Sequence, residues 1–157
     1  MIKAPYSITL NSPHETAEFA ARLGADAGPG DILLLEGAIG SGKTHFARSL
    51  IQSLMDVPED VPSPTFTLVQ AYDTQVGEIW HCDLYRLSTV DEIEELGLID
   101  AFDHAICLVE WPDKLGPLKP KTALTLSFQT DPDSMDTRHL TVSWCDPKWA
   151  LRLENAA

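Results

Sequence analysis

The sequence predicts an α/β domain: a mixed, mostly parallel central sheet flanked by helices, with antiparallel hairpin strands added to it. Three observations carry that prediction. Two runs, residues 32–36 and 105–110 ("ILLLE" and "AICLVE"), are apolar without alternation, which is the pattern of strands buried on both faces inside a parallel sheet. The first run leads through a glycine-spaced turn straight into apolar residues at helical spacing, a strand–turn–helix order. The last third of the chain instead carries two alternating segments separated by a turn-rich stretch, the signature of an antiparallel hairpin.

Taken in order, "YSITLN" alternates Tyr6, Ile8 and Leu10 and reads as a short strand. "SPHE" then supplies Ser12 as N-cap, Pro13 at the first helical position and Glu15 as capping-box partner, so a helix should run from about residue 13 to 25. "AGPGD" closes it, and Ile32 to Leu35 form the first core strand. Beyond the glycine turn, Phe46, Leu50, Ile51 and Leu54 recur at helical spacing. "DVPEDVPSPTFTLVQAYDT" begins as proline-rich irregular backbone and ends as a strand, whose hairpin partner is "GEIWHCDLYRL" across a turn near Gly77. Thr89 and Glu92 repeat the capping-box spacing before a helix that Gly97 is placed to stop. "AICLVE" is the second core strand, ended at Pro112, and "TALTLSFQT" pairs with "RHLTVSWCD" across "DPDSMDT". No repeat, low-complexity tract or linker interrupts this order, so residues 1–157 are expected to form a single domain.

Bulk properties narrow the function. With 24 acidic against 11 basic residues the net charge is −13, which disfavours a surface that grips a nucleic-acid backbone, because phosphate neutralisation needs clustered Lys and Arg. Cys82, Cys107 and Cys145 are odd in number, widely spaced and lack a CxxC pair, which suits a reducing compartment. The N-terminal stretch has no apolar run of signal-peptide length and no later run approaches a membrane span, so a cytoplasmic protein without a membrane partner is expected.

The chemistry concentrates in "GAIGSGKT". Gly37, Gly42, Lys43 and Thr44 fit G-x-x-x-x-G-K-[ST], with Gly40 adding backbone freedom inside the loop. Glycines allow successive N–H groups to turn inward, and the helix that follows adds partial positive charge at its N-terminus, so the loop is suited to cradle a triphosphate. Lys43 would reach the β- and γ-phosphates and Thr44 would hold Mg²⁺ through its hydroxyl, which makes the chain a P-loop NTPase with a nucleoside triphosphate and Mg²⁺ as expected ligands. Gly37, Ile39, Gly40, Ser41, Gly42, Lys43, Thr44 and His45 are the candidate nucleotide-binding residues.

Two carboxylates sit where such a site needs them. Glu110 ends the second core strand in the position of a Walker-B acid, and Asp83 ends "EIWHC" on another strand. Either could bind the metal while the other polarises the attacking water. Thr65, in the loop "SPTFT", belongs to a segment of the kind that closes on a γ-phosphate. Five arginines, Arg22, Arg48, Arg86, Arg138 and Arg152, are scattered and do not form a kinase-like lid. Arg86, beside Asp83, is the internal candidate for a cation on the transferred phosphoryl. No N-K-x-D guanine motif is present, and "DKLG" at 113–116 reads as a turn. A small-molecule kinase and a nucleotide sensor that never hydrolyses are the competing readings. His45 is expected to face solvent, His81 to be a structural histidine, and Asp91 to Glu95 to form a solvated helix face.

"GAIGSGKT", "SPTFTLVQAY", "HCDLYRL", "ELGLIDAF" and "LVEWPDKL", in this order and at these intervals, resemble the TsaE (YjeE) family, bacterial ATPases of tRNA threonylcarbamoyladenosine synthesis. The resemblance spans roughly Ser12 to Arg138. It implies that Lys43 and Thr44 hold phosphate and Mg²⁺, that Thr65 lies in a switch-like loop, that Asp83 and Glu110 serve metal and hydrolysis, and that Trp111 neighbours the nucleotide. It also implies TsaB and TsaD as partners, with tRNA reached only through them. Ala38, Ile39 and His45 depart from residues common in the family, which bears on hydrolysis rate more than on binding.

Overall fold

The computed structural model describes residues 2–156 and contains one seven-stranded sheet with helices on both faces. The strands are β1 (Tyr6–Leu10), β2 (Ile32–Gly37), β3 (Val69–Thr74), β4 (Gly77–Asp83), β5 (Ile106–Glu110), β6 (Leu124–Asp131) and β7 (Ser134–Ser143). Their spatial order is β1-β7-β6-β2-β5-β4-β3. The four central strands, β6, β2, β5 and β4, run parallel, and β1, β7 and β3 join as antiparallel arms at the two edges. This is the mixed sheet with a parallel centre that the apolar runs predict.

Those runs are non-alternating because each central strand is covered twice. Leu33 and Leu35 of β2, with Ile106 and Leu108 of β5, face the layer of α1 (Pro13–Ala25), α2 (Lys43–Ser53) and α5 (Lys148–Ala156). Ile32, Leu34, Cys107 and Val109 face α3 (Val90–Glu95), α4 (Leu98–Ala101) and the 3-10 segment Pro112–Leu118. Fully burying each Leu or Ile side chain contributes about 1.5–3 kcal/mol, so the two central strands anchor both layers.

The helix ends follow the capping chemistry. Ser12 Oγ accepts the Glu15 N–H at 3.1 Å, while the Glu15 carboxylate reaches one residue further back than a capping box requires, to Asn11 N–H. Thr89 and Glu92 form the complete reciprocal box. Gly97, at φ 79°, ends α3 as expected, and α4 restarts at once behind it. "DKLG" lies in the 3-10 segment, in keeping with a turn.

One helix, α5, has no counterpart in the sequence reading. It is held by Asp31, a nearly fully buried carboxylate at the entry to β2, which accepts hydrogen bonds from Lys148 Nζ (2.9 Å), Arg152 Nη1 and Gly28 N–H (2.9 Å). Both cations also lie over the ring of Trp149, whose Nε1–H donates to Thr122 O at 2.8 Å. The ion cluster thus fastens the C-terminal helix to the start of the strand that carries the glycine loop.

Candidate functional site

The site is assembled at the carboxyl ends of β2, β4 and β5, and the strand register sets its dimensions. Leu35 of β2 and Asp83 of β4 are both register partners of Glu110 on β5, so the loop leaving β2 and the two strand-end carboxylates stand at one level. The glycine loop then turns back over this level, with Gly37, Gly40 and Gly42 at φ 145°, 79° and 109°, all in the positive region that favours glycine. At Gly37 glycine is required by space as well. A Cβ there would stand 2.8 Å from the Phe128 carbonyl of the neighbouring strand.

Lys43, first residue of α2, is almost fully buried and folds back onto the loop. Its ammonium donates to the Gly37 carbonyl and, at 3.3 Å, to Ala38 O, and it lies 3.9 Å from the centre of the Trp111 ring. Burial lowers its pKa below the ordinary 10.5, an effect that the negative charges of Glu110, Asp83 and Asp113 partly offset. Thr44 Oγ1 donates to both oxygens of Glu110, at 2.8 and 3.1 Å. The same carboxylate contacts His81 Nε2 at 2.7 Å from Oε2.

Asp83 makes a separate set of contacts. Its Oδ1 accepts Tyr85 N–H at 3.0 Å, and its Oδ2 accepts the Thr65 hydroxyl at 3.3 Å, which itself lies 2.7 Å from Ser63 Oγ. Two carboxylates at one level therefore have different neighbours, Glu110 tied to the glycine-loop helix and Asp83 tied to the loop before β3. Trp111 stands just beyond Glu110 at φ 58°, a left-handed conformation uncommon for a bulky residue, and its ring meets Tyr85 at 4.9 Å between centroids.

These residues enclose a cavity of about 540 Å³, within the range of small-molecule sites. Ile39, Gly40, Ser41, Gly42, Lys43, Thr44, His45, Thr65, Asp83, Glu110 and Trp111 all line it, and Gly37 sits behind it as the acceptor for Lys43. The sequence-predicted set is therefore brought together as a whole. Two finer expectations differ. His45 is half-buried, not solvent-facing, with Nε2 2.9 Å from Pro13 O, because α1 starts against the first turn of α2. Arg86 does not line the cavity and lies over Phe66, 4.5 Å from the ring centre.

The arginine that does reach the cavity is Arg138, on β7. Its Nε donates to Ser41 O at 2.9 Å and its Nη1 to Met135 O and Thr137 O, so the β6–β7 hairpin forms a wall beside the glycine loop. Sequence reasoning missed this because Arg138 lies 97 residues from its acceptor. Its place depends on β6 lying next to β2, and no local spacing signals that neighbour. Tyr85 and the N-terminal residues of α1, Pro13 and Thr16, complete the cavity wall in the same long-range way.

Comparison with known proteins fits this geometry. The family model described as "Threonylcarbamoyl adenosine biosynthesis protein TsaE" matches residues 10–140. The chain belongs to the TsaE family. The matched span carries every residue of the predicted site and Arg138, and it ends before α5. Membership places the chain in tRNA threonylcarbamoyladenosine biosynthesis. Among similar TsaE proteins, that of Rickettsia bellii is 40% identical over 120 residues, covering 76% of this chain and 83% of its own length. The Bacillus subtilis TsaE is 37% identical over 147 residues, 93% of this chain and 89% of its own. The crystal structure of Bacillus subtilis YdiB superposes with a TM-score of 0.78 at 28% identity, covering 99% of this chain and 95% of that one.

Proposed function

We propose that this TsaE-family chain is a Mg²⁺-dependent ATPase acting with TsaB and TsaD in tRNA N6-threonylcarbamoyladenosine formation, and that tRNA is reached only through those partners. The observation that carries the reading is the joining of Lys43, Thr44, Glu110, Asp83 and Thr65 around one glycine-turned loop at the ends of parallel strands. The side chains present fit the ligands. Ser41 Oγ is buried with no hydrogen-bond partner among the described residues, and the Lys43 ammonium rests on carbonyls at the loop mouth. Both are groups that a phosphate would satisfy.

In this reading the N–H groups of residues 38–44 and the Lys43 ammonium bind the triphosphate, while the Thr44 hydroxyl and the Glu110 carboxylate would hold Mg²⁺. When bound, the ion neutralises charge that develops between the β- and γ-phosphates. A magnesium site with one or two protein ligands is the usual kind, because the ion keeps several waters and takes phosphate oxygens. Their neighbours support a division between the carboxylates. Glu110 is bonded to Thr44 and so serves the metal side, whereas Asp83 is bonded to Thr65 and serves to orient the water. Trp111, packed over Lys43 and against Tyr85, excludes solvent from the ammonium. A net charge of −13 is in keeping with docking on proteins instead of gripping tRNA.

The test measures phosphate release from MgATP by the wild type and by Lys43→Ala, each alone and with purified TsaB and TsaD. Slow release by the isolated wild type, on the order of 10⁻⁴ to 10⁻² s⁻¹ as for unassisted P-loop hydrolases, is expected, with loss in the variant. Release that ignores the substitution would remove the mechanism.

A further inference from the structure

We infer that His81 is a positioning residue for Glu110, holding Oε2 so that the carboxylate stays aligned with the Thr44 hydroxyl. The inference rests on the ATPase reading for its functional consequence, but its structural content stands on this chain's own residues. His81 is wholly buried on β4, two residues before Asp83, and its Nε2 lies 2.7 Å from Glu110 Oε2. Glu110 is a long side chain with three rotatable bonds at the end of a strand, so its backbone does not fix where its oxygens lie. The oxygens are fixed by donors from two sides: Thr44 approaches from the helix, 2.8 Å from Oε1 and 3.1 Å from Oε2, and His81 approaches Oε2 from the neighbouring strand.

The ring's tautomer follows from its surroundings. His81 Nδ1 is buried and has no hydrogen-bond partner among the described residues. A proton there would be an unpaired buried donor, and it would leave the Nε2 lone pair facing the lone pairs of a carboxylate. With the proton on Nε2, the ring makes a charge-assisted bond and leaves only an acceptor unpaired, the less costly arrangement. The β4–β5 pairing explains why a histidine does this. His81 opposes Leu108 and Asp83 opposes Glu110, so the imidazole reaches two positions along the parallel pair to meet Oε2 at 2.7 Å. The structural histidine expected from the sequence is thus built into the support of the site.

Two substitutions separate this from a packing role. His81→Phe keeps a buried ring and removes the donor. His81→Gln keeps an N–H at nearly the reach of Nε2 and removes the ring. The holoprotein should show, for His81→Phe, an about 10- to 100-fold fall in kcat with KM for ATP within about threefold, the usual size of losing a group that orients a metal ligand. His81→Gln should recover most of that loss. A second readout needs no nucleotide. Nitrogen shifts of the His81 ring in the free protein should show the proton on Nε2, and Glu110→Ala should abolish that preference. Equal loss in the Phe and Gln variants, or unchanged kcat in His81→Phe, would overturn the inference. So would a ring whose only proton is on Nδ1. Absence of any ATPase activity in the wild type would instead sink the reading of the previous subsection, and the nitrogen shifts would still decide whether His81 holds Glu110.

Discussion

Replacing Gly37 by alanine should be among the most damaging single-methyl additions in this chain, and Gly40 provides its control. At Gly37 the backbone has φ 145°, where an L side chain is strained by about 1–3 kcal/mol. The added Cβ would also stand 2.5 Å from Ser41 Oγ and 2.8 Å from Phe128 O. The serine hydroxyl has a rotatable bond and can move. The carbonyl cannot, because Gly37 and Phe128 are register partners in the β2–β6 pairing. Overpacking of that kind costs a further ~1–3 kcal/mol, giving about 2–6 kcal/mol together. At Gly40, with φ 79°, a Cβ meets nothing within 4 Å, so only the backbone strain remains. Urea denaturation checks the difference. With a slope of about 1–3 kcal/mol per molar, Gly37→Ala should lower the midpoint by roughly 1–3 M and Gly40→Ala by less than about half as much, with slopes unchanged. Equal midpoints for the two variants would refute the close approach of loop and strand on which the site is built.

Three other outcomes follow from the same structure. Asp31→Ala removes the shared acceptor of Lys148 and Arg152, whose side chains are 32% and 23% exposed, so the loss is reduced by solvent screening to about 1–3 kcal/mol. Amide exchange should accelerate first in residues 148–156. Of the three cysteines only Cys145 is exposed, and burial pushes Cys107 up to about 12 and Cys82 well above its ordinary value, so Ellman's reagent at pH 8 should titrate one thiol in the folded protein and three in urea. The Asp131 carboxyl is held below its ordinary value, first by the His139 hydrogen bond and then by the Asp133 N–H. A carboxyl lowered in the folded state gives stability that is present above its unfolded pKa and lost as pH falls through the folded one. Asp131→Asn should therefore flatten the acid side of the stability profile below about pH 4, seen as thermal midpoints that converge with the wild type on acidification.

Local chemistry made much of this molecule legible before its fold was known. The Ser12–Pro13 start and the 13–25 span of α1 follow from one N-cap and one fixed proline φ, and they appear at those residues. The apolar runs mark β2 and β5 because burial on both faces removes alternation, so the strands beneath the site could be read directly. The glycine loop was legible because its backbone torsions exclude other residues. Strand order was not. That β6 lies beside β2, and that this brings Arg138 to Ser41, depends on long-range pairing energies with no short-range mark. His81 and Glu110 lie 29 residues apart and meet only through the β4–β5 register. The α5 helix carries a weak signal of its own. Trp149, Leu153 and Ala156 recur at helical spacing behind an Asp146 whose carboxylate accepts Lys148 N–H, but the segment is short and its apolar face is meaningful only against the opposite layer.

The proposed chemistry requires above all that the loop from Gly37 to Thr44 hold the triphosphate of ATP. Calorimetric titration of MgATP into the wild type and into Lys43→Ala tests it directly. A saturable heat in the wild type, with affinity reduced about 10- to 150-fold when the charge-assisted donor is lost, is the predicted result. No heat in the wild type, or equal affinity in both proteins, would contradict it.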